Sequence, residues 1–206
     1  MSVKDRILGV AKKLFATNGY ENTSTMSVAR SAQTSESQIL KYFGSKEGLL
    51  EAIFEDGWHH ASEGFGAIEY LPSPGAKLQA LFGIVLSRLD EDSELKQLVL
   101  LEGRKIRKEG HMVMMTNGFL EVVKLVDGLL EQMRESGQLR ADLHPHAVRS
   151  VLIGMMEGLL RDQMLAGQLT YPADFTSDDI RELFLHVLQS FTAGSARVLS
   201  ATRAQH

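Results

Sequence analysis

Cysteine is absent from these 206 residues. Disulfides, thiolate metal sites and catalysis by a cysteine nucleophile are therefore excluded. Proline is scarce, occurring only at Pro72, Pro74, Pro145 and Pro172, which leaves long stretches free to be helical. No apolar run is long enough to span a bilayer, and no basic-then-apolar signal segment opens the chain. No membrane partner is expected, and a cytoplasmic location follows by elimination. The chain also lacks internal repeats, a Gly-rich phosphate loop and a nucleophile elbow, so neither an enzymatic activity nor a cofactor is expected. No segment alternates with period two for long enough to make a strand, and an all-α fold is expected.

What remains is an ordinary soluble composition, 44% hydrophobic and 23% charged, able to bury a core. The net charge of −4 hides an asymmetry. Residues 1–50 carry seven Lys/Arg against four Asp/Glu, a surplus of +3, which leaves −7 for the rest. A basic end on an acidic body suits a segment that meets phosphates, although surface charge also varies by chance.

The first fifty residues read as short helices with clear punctuation. Ser2 with Asp5 makes a capping box ahead of Ile7, Val10, Ala11, Leu14 and Phe15, and Asn18-Gly19 supplies the stop. Ser24 starts a second helix bearing Val28, Ala29 and Ala32. After Gln33-Thr34, Ser35 caps a third, with Gln38 as its capping-box partner and Ile39 and Phe43 as its buried face. Gly44 breaks that helix, and Ser45 caps a fourth with Leu49, Leu50, Ile53, Phe54 and Trp58. Helical patterns also run through Leu78–Leu89, Leu95–Ile106, Phe119–Met133, a run opened by Pro145, and a last helix from near Thr176. Gly64–Gly75 reads as a loop, and the tail from Ala193 to His206 is expected to fray.

A short helix, a tight turn and a second short helix from Ser24 to Phe43 have the form of a helix-turn-helix. Its second helix enters the major groove with polar side chains toward base edges. Glu36, Ser37, Gln38, Lys41 and Tyr42 can be presented opposite Ile39 and Phe43. Gln38 suits adenine, Ser37 several bases, Lys41 guanine or a phosphate, and Glu36 cytosine. Gln38 can equally serve only as a cap. Thr23, Ser24 and Ser35, with the amides of the helices they start, suit phosphates.

These residues resemble the TetR/AcrR family over positions 7 to 54. Gly19-Tyr20, Thr23, Ser24, Val28-Ala29, Ala32, Ser35, Ile39, Phe43, Ser45, Lys46, Glu47, Leu49 and Leu50 stand at its spacing. The resemblance implies a DNA-binding domain at residues 1–46 and a helical effector-binding and dimerisation domain at 47–206. It implies a transcriptional repressor, with Lys46 reaching a phosphate, that binds double-stranded DNA at a pseudo-palindromic operator. Asp142, Pro145, Gly154 and Gly158 resemble the family's penultimate helix. Two positions depart from the pattern. Gln33-Thr34 replaces the usual Gly-Val of the turn, placing glutamine where glycine takes positive φ cheaply. Leu40 replaces a tyrosine whose hydroxyl touches a phosphate in the family.

In the body, the last two helices carry many apolar residues, and Gly154 and Gly158 would let helices approach closely. They are candidates for a homodimer interface, or for an ordinary core. Seven of the nine methionines lie beyond residue 100. They suit a pocket for a small, largely apolar effector, with Phe54, Trp58, His59, Phe82, Met112, Met115 and Met155 as candidate lining, or simply a core. Asp56, His59 and Glu63 share one face of the fourth helix, and a helical-bundle enzyme with a metal there is the alternative. A solvated face is the plainer reading, and no metal is expected.

Overall fold

A computed structural model describes residues 2–102, 106–108, 111–113, 117–168 and 170–194, giving backbone alone for 106–108, 111–113, 117 and 168. The tail beyond residue 194 therefore lies outside the described residues. The fold is all-α. Its helices are α1 (Val3–Asn18), α2 (Thr25–Ser31), α3 (Glu36–Phe43), α4 (Lys46–Ser62), α5 (Pro74–Glu91), α6 (Ser93–Glu102), α7 (Asn117–Glu135), α8 (Pro145–Gln168) and α9 (Ser177–Ser190).

Each predicted N-cap residue accepts from its helix, although Gln38 does not complete the capping box expected with Ser35. Ser2 accepts from the Asp5 amide while Asp5 accepts from the Ser2 amide, and Thr176 with Asp179 repeats this reciprocal box. Ser24, Ser35 and Ser45 accept from the amides of Ser27, Gln38 and Gly48. A cap of this kind contributes about 1 kcal/mol.

Two expectations are corrected. The stretch expected as a loop holds a 3-10 helix, Phe65–Tyr70, and α5 already begins at Pro74. Proline is tolerated in a first helical turn, and Ser73 Oγ accepts from the Ala76 amide at 3.2 Å. The apolar pattern from Leu95 to Ile106 is not one helix, since α6 stops at Glu102. Ile106 opens a strand, β1 (Ile106–Lys108), paired antiparallel with β2 (His111–Val113). Ile106 pairs in register with Val113 in this ladder, and both are residue types that favour strands over helices.

The chain forms two compact units. The first joins the residues up to Glu63 with Arg88–Leu120, and the second joins Gly64–Ser87 with the residues from Glu121 onward. In the first unit α1 packs on α2, α4 and α6 around Ile7, Phe15, Val28, Ile39, Leu49 and Phe54, all essentially inaccessible. Each such large apolar side chain contributes roughly 1.5–3 kcal/mol. Gln97 of α6 donates to the Ala16 carbonyl at 2.8 Å, and Lys12 of α1 pairs with Asp92 just before α6. In the second unit, α5, α7, α8 and α9 contribute Leu81, Leu130, Leu160 and Phe184 to the core. Phe82 stacks on Phe184 with centroids 3.7 Å apart, and Arg149 pairs with Asp127 at 2.6 Å.

Candidate nucleic-acid interface

Helix α2 turns into α3 within a few residues, and the turn is held by backbone bonds. The Thr34 amide donates to the Ala29 carbonyl at 2.9 Å, and the Gln33 amide to Arg30 at 3.2 Å. This is the pairing that closes a helix on a left-handed residue. Gln33 takes that place with φ of 51°. The glutamine thus adopts the conformation glycine would take, without changing the turn, at a steric cost of about 1 kcal/mol. Arg6 on α1 supports the corner, its Nε donating to the Ala32 carbonyl at 2.9 Å.

Ile39 is fully buried beneath α3. Ser37, Leu40, Lys41 and Tyr42 are exposed around the rest of the helix, and Gln38 is half-exposed. The Gln38 side chain does not return to the Ser35 amide as a capping-box partner. Its Nε2 instead donates to Tyr42 Oη at 3.4 Å, along the outer face. The cap uses only the Gln38 backbone, so the amide stays on the open side, available to another partner. Ser35 and Ser37 hydroxyls lie 2.9 Å apart at the start of the helix. Ser24 is exposed at the start of α2.

Three other candidate residues are engaged inside the module. Thr23 is only 2% exposed, and its hydroxyl meets the Gly19 carbonyl at 2.9 Å and the Leu14 carbonyl at 3.3 Å. Its task is to fasten the chain before α2, which leaves the open side there to Ser24 and the helix amides. Glu36 accepts a hydrogen bond from the Thr25 hydroxyl, tying α3 back to α2 and drawing its carboxylate from the outer face. Lys46 holds its ammonium over the Tyr20 ring, 4.2 Å from the centroid, and 3.4 Å from the Glu21 carbonyl. Such a contact contributes about 0.5–1 kcal/mol at an exposed site. Tyr20 and Arg6 were not singled out as working residues from sequence. The only signal was the Gly-aromatic pair at Gly19-Tyr20. The Tyr20 hydroxyl is buried with no hydrogen-bond partner, and burial pushes its pKa up, reinforced by Glu47, Glu21 and Glu102.

A family model for bacterial regulatory proteins of the tetR family matches residues 7–53, the span of α1 to α4 that builds this surface. Residues 7–53 thus carry the DNA-binding module of the TetR family. The chain is 43% identical to the regulator QacR of Staphylococcus aureus over 53 residues, 26% of the chain and 28% of QacR. That match spans less than a third of either chain. A longer one, at 23% identity, joins 87% of the chain to 92% of the fatty acid metabolism regulator protein of Bacillus subtilis. In fold the chain is similar to FadR of Bacillus subtilis, solved in complex with stearoyl-CoA. The TM-score is 0.75 at 21% identity, covering 90% of this chain and 97% of that one. The family is one of DNA-binding transcription regulators with a helix-turn-helix, and α2 to α3 is that element here.

The remaining candidates are divided between the units. In the first, Phe54 is buried and His59 exposed. Trp58 lies against Gly118, its Cδ1 2.2 Å from where a Cβ would stand, so no larger residue fits at 118. In the second, Phe82 is buried against Phe184 and Met155 is half-buried. The Met112 side chain and all of Met115 lie outside the described residues. Asp56, His59 and Glu63 do not gather as the enzyme alternative needs. Asp56 stands beside His60, whose Nδ1 is 3.8 Å from the carboxylate and 2.7 Å from the Asp56 carbonyl. Among the described residues no group of three His, Asp or Glu is placed to hold a metal. No described helix is long and apolar enough to cross a membrane.

The first unit also has a cleft of about 650 Å³ between α1, α4 and the start of α6. Its charged walls are already paired, Lys12 with Asp92 and Arg88 with Glu91. A cleft so lined does not suit an apolar molecule.

Proposed function

We propose that this chain is a repressor that holds a pseudo-palindromic operator as a homodimer and leaves it when a small, largely apolar effector binds. The observation that carries the reading is the open face of α3. Ser37, Gln38, Lys41 and Tyr42 stand outward on a helix whose caps and core contacts are complete without them. Residues 1–46 read DNA, and residues 47–206 bind the effector and dimerise. A single short recognition helix reads few bases, so two copies about 34 Å apart are needed to read one turn of a palindrome.

The second copy is joined through α8 and α9. Val151 and Leu183 are 49% and 42% exposed there, and nothing lies within 4 Å of where a Cβ on Gly154 or Gly158 would stand. An apolar helix face with room for close approach suits a twofold bundle. A largely apolar effector accords with the half-buried Met155, Met156 and Met164 along α8, and with the stearoyl-CoA held by FadR of Bacillus subtilis. The effector acts by its differential affinity for the conformations that bind and do not bind DNA.

The test is fluorescence binding of the purified protein to fragments flanking its own gene, across a salt series, followed by a release screen that begins with acyl-CoA thioesters. Binding to one fragment with a steep salt dependence, reversed by one class of effector, is the expected result. Equal binding to every fragment, or to none, would overturn the reading.

A further inference from the structure

Three large hydrophobic side chains stand exposed between Ser2 and Glu63: Met26 at 57%, Leu40 at 44% and Tyr42 at 42%. All three lie on α2 and α3. Tyrosine has a hydroxyl for water, and here it meets Gln38. Leu40 has no polar atom, yet it sits in the middle of the recognition helix. Ile39 is fully buried and Phe43, expected to share its buried face, only partly so; Leu40 lies outside the core. On a face otherwise made of hydrogen-bonding residues, an exposed leucine offers the apolar contact that a methyl group of a partner can fill.

What covers it follows from the partner. The module carries a surplus of +3 within residues 1–50, and α3 is flanked by Ser37, Gln38 and Lys41, groups fitted to base edges and phosphates. In the major groove the bases offer donors and acceptors, and the one methyl group among them is the thymine C5-methyl. A leucine cannot make the phosphate contact that a tyrosine hydroxyl makes. We propose that Leu40 is a specificity-determining residue that packs on the C5-methyl of one thymine in each half-site. The inference rests on the proposed reading of α3 as a recognition helix.

Replacing thymine by deoxyuridine removes that methyl and changes nothing else in the groove. The probe is a double-stranded fragment selected by the full-length wild-type protein from a random-sequence pool, with each thymine then replaced singly by deoxyuridine. At one thymine per half-site, replacement weakens wild-type binding by about 4-fold, the worth of one methyl group drawn from water. Leu40→Ala binds the unsubstituted fragment more weakly and no longer distinguishes thymine from uracil at that position. Gln38→Ala, by contrast, keeps the distinction. The scan with wild-type protein needs no folded variant, and an unchanged helical signal qualifies Leu40→Ala. If no thymine is sensitive, or if Leu40→Ala retains the sensitivity, Leu40 does not read the methyl and the proposal falls while the regulator reading stands. If wild type selects no sequence from the pool, the recognition-helix reading itself fails, and this proposal with it.

Discussion

The corner between α2 and α3 and the corner after α7 end their helices with the same backbone bonds and different residues. After α7, the Gln138 amide donates to Met133 at 2.8 Å and the Gly137 amide to Arg134 at 3.1 Å, with glycine at φ 69°. After α2 the equivalent bonds close on Gln33 at φ 51°. The second corner uses the residue that adopts this conformation freely, whereas the first holds a side chain there at a cost. Both units hold exposed large apolar side chains, Met26 and Leu40 in the first and Val151 and Leu183 in the second, and the first also holds the orphaned Tyr20 hydroxyl. The second unit has its own orphan, Asp127 Oδ1, but its φ > 0 position is unstrained. What separates the corners is the backbone strain at Gln33, which this fold tolerates beside the surface it presents.

The sharpest test of that contrast is binding. Replacing Gln38 and Lys41 together by alanine lowers operator affinity by roughly 30- to 1,000-fold, from two contacts of about 1–2 kcal/mol each. Arg134→Ala beside the second corner leaves the affinity unchanged in the same titration. Equal losses from both would erase the distinction between the corners.

Next in size is association of the second unit. Leu183→Asp puts a charge on the exposed apolar face of α9 and raises the dimer dissociation constant by roughly 30-fold or more, as read by sedimentation. A variant that stays dimeric at all concentrations would move the interface elsewhere.

The turns themselves can be exchanged. Gln33→Gly relieves the strained position and stabilises by up to about 1 kcal/mol, while Gly137→Gln imposes the same strain and costs about 1 kcal/mol. Chemical denaturation of both variants measures this, and shifts of the same sign would break the comparison. Tyr20→Phe removes the buried orphan but keeps the ring beneath Lys46, and raises stability by up to about 1 kcal/mol. A loss of stability there would mean that the hydroxyl has a partner in solution.

The smallest effect is acid sensitivity of the caps. The Thr176 backbone and hydroxyl hold the Asp179 carboxyl below its ordinary value, and the Ser2 backbone and hydroxyl do the same for Asp5. A lowered folded-state pKa gives stability that is full above the unfolded value and lost as pH falls through the folded one. The stability difference between wild type and Asp179→Asn should therefore shrink between about pH 5 and pH 2.

The helix starts and stops were legible because their causes are local. Ser2, Ser24, Ser35, Ser45 and Thr176 each bond an amide three residues on, while Gly19, Gly44 and Gly137 supply positive φ. The periodicity that buries Ile39 likewise places Ser37, Gln38, Lys41 and Tyr42 on the outer side of α3. The same rule misread Ile106, because an apolar residue at helical spacing does not reveal a strand partner seven positions later.

The sequence by itself determined an all-α chain, a helix-turn-helix at its N-terminal end, and which face of α3 is open. Only the tertiary structure decided which candidate side chains are spent inside. It buried the Thr23 hydroxyl against Leu14 and Gly19, drew Glu36 to Thr25, seated Lys46 on Tyr20 and brought Arg6 to the Ala32 carbonyl. It set Asp56 beside His60 rather than with His59 and Glu63, and stacked Phe82 on Phe184. Three of these contacts, Lys46 on Tyr20, Arg6 to Ala32 and Phe82 on Phe184, join residues far apart in the chain, and all depend on helix packing and rotamer choice. Spacing along a sequence constrains neither.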